Sequence, residues 1–163
     1  MSLLRLASVL ALAAWIGGLA VLGGVAAPTI FGVLEAHDPV AGRALGGLVF
    51  GAVFERFQHV SWGLGALLLL LLATRAALGP RPRRLAVRML TVTAMLAMSL
   101  ATGLVIAPRI DAIRERTPGT VAALPDTDAS KIEFGRLHGL SNALMLLTVG
   151  AGIGLFWVEM KDQ

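Results

Sequence analysis

The 163-residue chain contains no cysteine, and only 15% of its residues are charged. The first absence excludes disulfides, thiolate metal sites and cysteine nucleophiles, and leaves the redox compartment open. The second excludes an ordinary water-soluble globule, in which about a quarter of the residues carry charge. Also missing are a phosphate-cradling glycine loop, a nucleophile elbow and an HExxH helix. With no carboxylate pair or activated nucleophile to assign, the sequence weighs against an enzyme. The period-two alternation of a membrane β-barrel is absent too, since Leu67 to Leu72 is an unbroken leucine run.

What is present is 56% apolar side chain, gathered into four windows free of Asp, Glu, Lys and Arg. Leu6 to Leu34 spans 29 residues, Phe57 to Thr74 18, Met89 to Pro108 20 and Leu137 to Val158 22. Each is long enough to cross a hydrocarbon core that needs about 20 residues of helix. The expected fold is therefore all-α: a polytopic membrane protein, one four-helix transmembrane domain over residues 1–163 with spans near 6–30, 57–78, 89–108 and 137–158. The first window begins after Arg5 like a signal peptide, but it runs far beyond the usual signal core of about 7 to 15 residues. It is read as a retained helix. The 19 glycines suit close approach of membrane helices.

Charge placement sets the orientation. Arg75, Arg81, Arg83, Arg84 and Arg88 cluster between spans two and three with no acid among them, a strong cytoplasmic signal. The stretches 28–56 and 109–136 balance their charges and are expected outside. Both termini then lie in the cytoplasm, in a bacterial-type inner or plasma membrane. The net charge of +4 follows from this topology and does not imply nucleic-acid binding.

On the outer side the helices are expected to extend past the membrane. Asp38-Pro39 reads as an N-cap with proline behind it, starting a helix that runs to Leu78. Ser130 to Glu133 has capping-box spacing, opening the last helix ahead of His138. Pro108 is expected to kink the third helix, which continues to Arg116, and 118–128 reads as a loop. The sequence shows no internal repeat on this reading.

Counting from the inner helix ends places His138 and Arg109 about 31 Å up and His59 about 24 Å up. With Glu55, Arg136, Ser61 and Ser141 they form a candidate polar cluster drawn from three helices at the outer boundary, and Gln58, Glu133 and Asn142 lie beside it. Ionised groups deeper in the bilayer cost roughly 2.5 to 3.5 kcal/mol each. The cluster can hold a small ligand or ion. His59 and His138 can also ligate haem b or a transition metal, or relay a proton, against the plainer reading in which each meets lipid phosphate, water or backbone. His37 reads as a solvated turn residue. Met95, Met98 and Met145 are core filler first and a copper(I) path second. Gly150 with Gly154 and Ala13 with Gly17 are packing seams inside the bundle or a homo-oligomer interface. Trp62 and Trp157 fit the two aromatic belts.

The stretch Phe134-Gly135-Arg136-Leu137-His138-Gly139-Leu140-Ser141, with Phe54 through His59-Val60-Ser61 and the pair Pro108-Arg109, resembles the domain of unknown function 4149 family. That group contains animal transmembrane protein 205. The likeness runs over nearly the whole chain, and Arg-x-His-Gly-x-Ser is its most specific element. It implies a four-helix integral membrane protein whose pattern falls on Phe54, His59, Ser61, Pro108, Arg109, Phe134, Arg136, His138, Gly139 and Ser141. Animal relatives carry a longer connection before the last helix and cysteines in their spans. This chain has none, so thiol-based handling of soft metals does not carry over. The family also looks distantly like copper-resistance D proteins and a haem-dependent porphyrinogen oxidase, a likeness of architecture that confers no activity.

Three readings follow, in order: a membrane protein that binds or helps move a small ligand or ion through the outer cluster; a redox protein with haem b or a metal between His59 and His138; and a structural or partner-binding subunit. An alternating-access pump is disfavoured, because no carboxylate sits at the membrane midplane.

Overall fold

The computed structural model describes residues 3–39, 41–78 and 82–161. Arg81, one of the five arginines that set the expected orientation, lies outside them. The described residues form four helices long and apolar enough to cross a membrane: α1 (Leu3–His37), α2 (Ala41–Leu78), α3 (Leu85–Arg116) and α4 (Ala129–Lys161). Helix α2 alone has 38 residues, about 57 Å at 1.5 Å per residue, against a hydrocarbon core of roughly 30 Å. The expected overhang is therefore present.

Local chemistry fixes where these helices begin and end. Asp38 closes α1 in an extended conformation (φ −150°, ψ 112°), and its N–H still donates to Leu34 O at 3.1 Å. Its carboxylate then accepts the Ala41 N–H at 2.9 Å, so one aspartate ends one helix and caps the next. At the start of α4 the cap is Asp128, whose Oδ1 accepts the Ser130 N–H at 2.7 Å. This corrects the expectation built on Ser130: its hydroxyl is already inside the helix, and the shorter carboxylate arm two residues earlier reaches the orphan amides. Thr117 ends α3 by donating its hydroxyl to Ile113 O at 2.7 Å. Gly119 follows at φ +85°, a turn that a side chain would strain.

Two helices share an unusual device. A π-helical turn, Leu22–Ala26 in α1 and Thr102–Ile106 in α3, stands just ahead of Pro28 and Pro108. Proline has no N–H to give the preceding turn, and widening that turn is how the chain accommodates it. The kink expected at Pro108 is thus a π-turn, and Pro28 has an equivalent.

Around the bundle α1 packs on α2, α2 on α3, α3 on α4 and α4 on α1, leaving α2 and α4 on a diagonal. Ala11, Leu12, Trp15, Leu19, Leu68, Leu72, Val92, Met95 and Leu155 make one core. Gly65 lets Trp15 and Leu96 approach α2, where an added Cβ would meet them at 3.0 and 2.9 Å, and Gly152 does the same for Met95 and Ile16 on α4. The core sits toward the end bearing both termini. In α4 every buried residue lies between Thr148 and Glu159, and in the outer part of α1, Ala27–His37, none is buried.

Candidate functional site

The termini end closes on a buried ionic cluster. Glu159 (3% exposed) meets Arg88 (0% exposed) in a close ion pair, Arg75 Nη1 at 3.1 Å and Arg5 Nε at 3.9 Å. Arg5 also donates to the Glu159 carbonyl oxygen, and Arg88 Nε donates to Arg83 O at 3.0 Å. A carboxylate on α4 thereby receives a guanidinium from each of the other three helices. In low dielectric such a group persists only when paired and hydrogen-bonded. From sequence these four residues served only to mark helix ends. Their convergence depends on helix azimuth, which charge placement alone does not disclose.

Deeper in the bundle, a cavity of about 10 Å³ is lined from all four helices, near the smallest space that holds one water. Its polar groups are Gln58, Ser99, Thr102 and Thr148, set among Trp15, Leu19, Phe54, Met98, Leu144 and Met145. Gln58 Nε2 donates to Ser99 O at 3.3 Å, and Ser99 Oγ donates to Gln58 Oε1 at 2.8 Å. Thr102 and Thr148 donate to the carbonyls one turn earlier in their own helices, Met98 O at 2.9 Å and Leu144 O at 2.8 Å. Nearby, the Trp15 and Trp62 indole N–H groups and Ser61 Oγ are buried without a protein hydrogen-bond partner. Met98 and Met145, distant in sequence, line this same space.

The expected outer cluster is distributed differently. Ser61 is fully buried, Ser141 is half-buried, and Glu55, His59, Arg109, Arg136 and His138 are exposed. The inward face of α2 carries Gln58, Ser61, Gly65, Leu68 and Leu72, which turns His59 aside to lie edge-on against Trp62 at 4.9 Å. His138 stacks on Phe134 at 6.1 Å, and Arg114 covers that phenylalanine at 5.6 Å. The two histidines occupy diagonal helices and neither ring touches the other. The structure therefore does not bring them together as axial ligands of one haem within a single chain. Among the described residues no group of three or more His, Asp or Glu is placed to hold a metal.

Around this region the outer helix ends are tied by exposed ion pairs, Arg43 with Glu35 at 3.2 Å and Arg116 with Glu133 at 2.9 Å. In the connector, Lys131 holds Asp126 at 2.8 Å. That hydrogen bond and charge keep the Asp126 carboxyl below its ordinary range. Gly17, Gly150 and Gly154 have open space where a Cβ would stand. Their seams face outward and are not used inside the bundle.

A family model described as a domain of unknown function matches residues 10–118, more than half of the chain. The span takes in α1, α2, α3 and the Gln58–Ser99 pair, and it stops short of Phe134 to Ser141. No curated protein matches the chain, and no solved structure does.

Proposed function

The chain belongs to the domain of unknown function 4149 family, and from that premise we propose that it binds, or helps move, a small ligand or ion that enters between the outer helix ends. Arg109, Arg136, His59 and His138, with Glu55 and Ser141, form the polar margin of that region. The cavity around Gln58 and Ser99 lies at its foot, with Ser61 beside it. The observation that carries this reading is the cavity: hydrogen-bonding groups from three helices are gathered inside an otherwise apolar bundle, where each must be satisfied to be tolerated. Packing supports the direction of access, since the termini end is closed by the Glu159 cluster and the outer half of α4 has no buried residue.

The arginines between α2 and α3 put the termini in the cytoplasm, so the site opens away from it. The outward seams at Gly150/Gly154 and Ala13/Gly17 are available to a second copy of the chain. The test is elemental analysis and small-molecule mass spectrometry of detergent-purified protein beside the His59→Ala/His138→Ala variant. The reading expects an ion or small molecule bound to the native chain and lost in a variant that still folds; equal content in both overturns it. A Soret band lost in the variant would move haem b to the front.

A further inference from the structure

Gly23-x-Val25-x-Ala27-Pro28-x-Ile30, followed by Glu35, recurs 80 residues later as Gly103-x-Val105-x-Ala107-Pro108-x-Ile110, followed by Glu115. Phe54-x-Arg56 with Ser61 recurs at the same interval as Phe134-x-Arg136 with Ser141. The structure keeps the interval. Both Pro-associated π-turns fall on it, and the buried positions Leu12, Trp15 and Leu19 of α1 become Val92, Met95 and Ser99 of α3. Contacts are exchanged in the same sense: Gly65 on α2 faces Trp15 and Leu96, while Gly152 on α4 faces their counterparts Met95 and Ile16. Any antiparallel bundle shows periodic burial. Coincident π-turns, coincident sequence and exchanged glycine contacts at one interval need a common origin for the two halves.

We infer that the chain is a tandem duplication of one two-helix unit, α1–α2 and α3–α4, packed about a pseudo-two-fold axis along the bundle, and that Phe-x-Arg-x-x-x-x-Ser is one site element present once in each unit. The helices neighbour one another as a two-fold axis requires, each α1 or α3 lying between α2 and α4. The cavity, lined by all four helices, lies between the units, where membrane proteins built from parallel repeats place their ligands.

The two copies of the element are staggered. By packing, Gly65 corresponds to Gly152, 87 residues on, whereas by sequence Ser61 corresponds to Ser141, 80 residues on. The difference of seven residues is two helical turns, which preserves the helix face and moves the second copy about 10 Å toward the outer end. A longer connector ahead of α4 supplies the extra residues. Arg136 and Ser141 thus stand above the level of Arg56 and Ser61, giving an outer and an inner copy along one route. The units also differ at the termini end, where Arg88 and Glu159 replace Ser8 and Leu72, so the ionic cluster belongs to one unit only. The placing of a ligand along that route rests on the reading above; the duplication does not.

The cysteine-free chain allows a direct test, with spin labels on the full-length protein in lipid nanodiscs. Leu10 and Leu70 of the first unit correspond to Leu90 and Trp157 of the second, and all four are exposed. The Leu10→Cys/Leu70→Cys distance is expected to equal the Leu90→Cys/Trp157→Cys distance, and Leu10→Cys/Trp157→Cys to equal Leu90→Cys/Leu70→Cys. Unequal members in either set overturn the duplication. Labels at Arg56→Cys and Arg136→Cys then report depth through collision with a water-soluble nickel chelate. A label at position 136 about 10 Å further out supports the stagger, and equal depth overturns it. Neither result depends on whether a ligand binds.

Discussion

Glu159 is the residue on which the bundle's closed end depends. Glu159→Gln leaves Arg5, Arg75 and Arg88 facing a neutral amide in low dielectric, and removal of one partner from a buried pair costs about 3 to 5 kcal/mol. Thermal unfolding in detergent should show a loss of that order. The double replacement Arg88→Leu/Glu159→Leu, which approximates the Ser8 and Leu72 of the other unit, should cost less than either single change. A double variant as unstable as the sum of its singles would contradict the pairing. At the opposite end, Asp126 has a folded pKa below its unfolded one, because Lys131 favours the carboxylate. Its contribution is present above the ordinary carboxylate pKa of 3.8 and is lost as pH falls through the lower, folded value. Amide exchange in the 118–128 connector should therefore show an extra acid-dependent opening that Asp126→Asn abolishes.

The helices themselves were legible to different degrees. All four spans, the reach of α2 to Leu78 and the role of Asp38 follow from charge-free length and cap chemistry, and the structure has them at the expected places. Azimuth was not legible. An even spread of apolar residues around α2 and α4 gives no strong stripe, so nothing in the pattern separated inward Gln58 from outward His59. The signal that was available lay in the uncharged polar residues: Gln58, Ser99, Thr102 and Thr148 each interrupt an apolar span, and each is buried. Gln58→Leu should cost about 1 to 3 kcal/mol by stranding the Ser99 hydroxyl and carbonyl, while Gln58→Leu/Ser99→Ala recovers part of it. Gly152→Leu pushes a side chain into Ile16 and Met95 and should cost about 1 to 3 kcal/mol through overpacking. Gly150→Leu, with open space around it, should leave monomer stability unchanged.

The whole molecule is tight at one end and loose at the other. Three guanidiniums and a core of Trp15, Met95 and Leu155 hold the termini end, while the outer ends meet through exposed ion pairs whose individual worth is at most about 1 kcal/mol. This gradient was hidden in the sequence because α4 is uniformly apolar from Leu137 to Val158 yet buries residues only from Thr148 onward. The charged and imidazole residues of the outer margin were legible as a group because their depth follows from counting residues; their separation onto diagonal helices was not. If the cavity is reached from the outer end, water must be able to follow the same route. Met145 lines the cavity, and the absence of native cysteine makes Met145→Cys a clean reporter, with fully buried Met95→Cys as its control. The decisive measurement is the modification rate of each in sealed vesicles by a membrane-impermeant thiol reagent added to one side at a time. The account predicts that Met145→Cys reacts from the side opposite the termini and far faster than Met95→Cys. Reaction only from the termini side, or equal inertness at both positions, would contradict it.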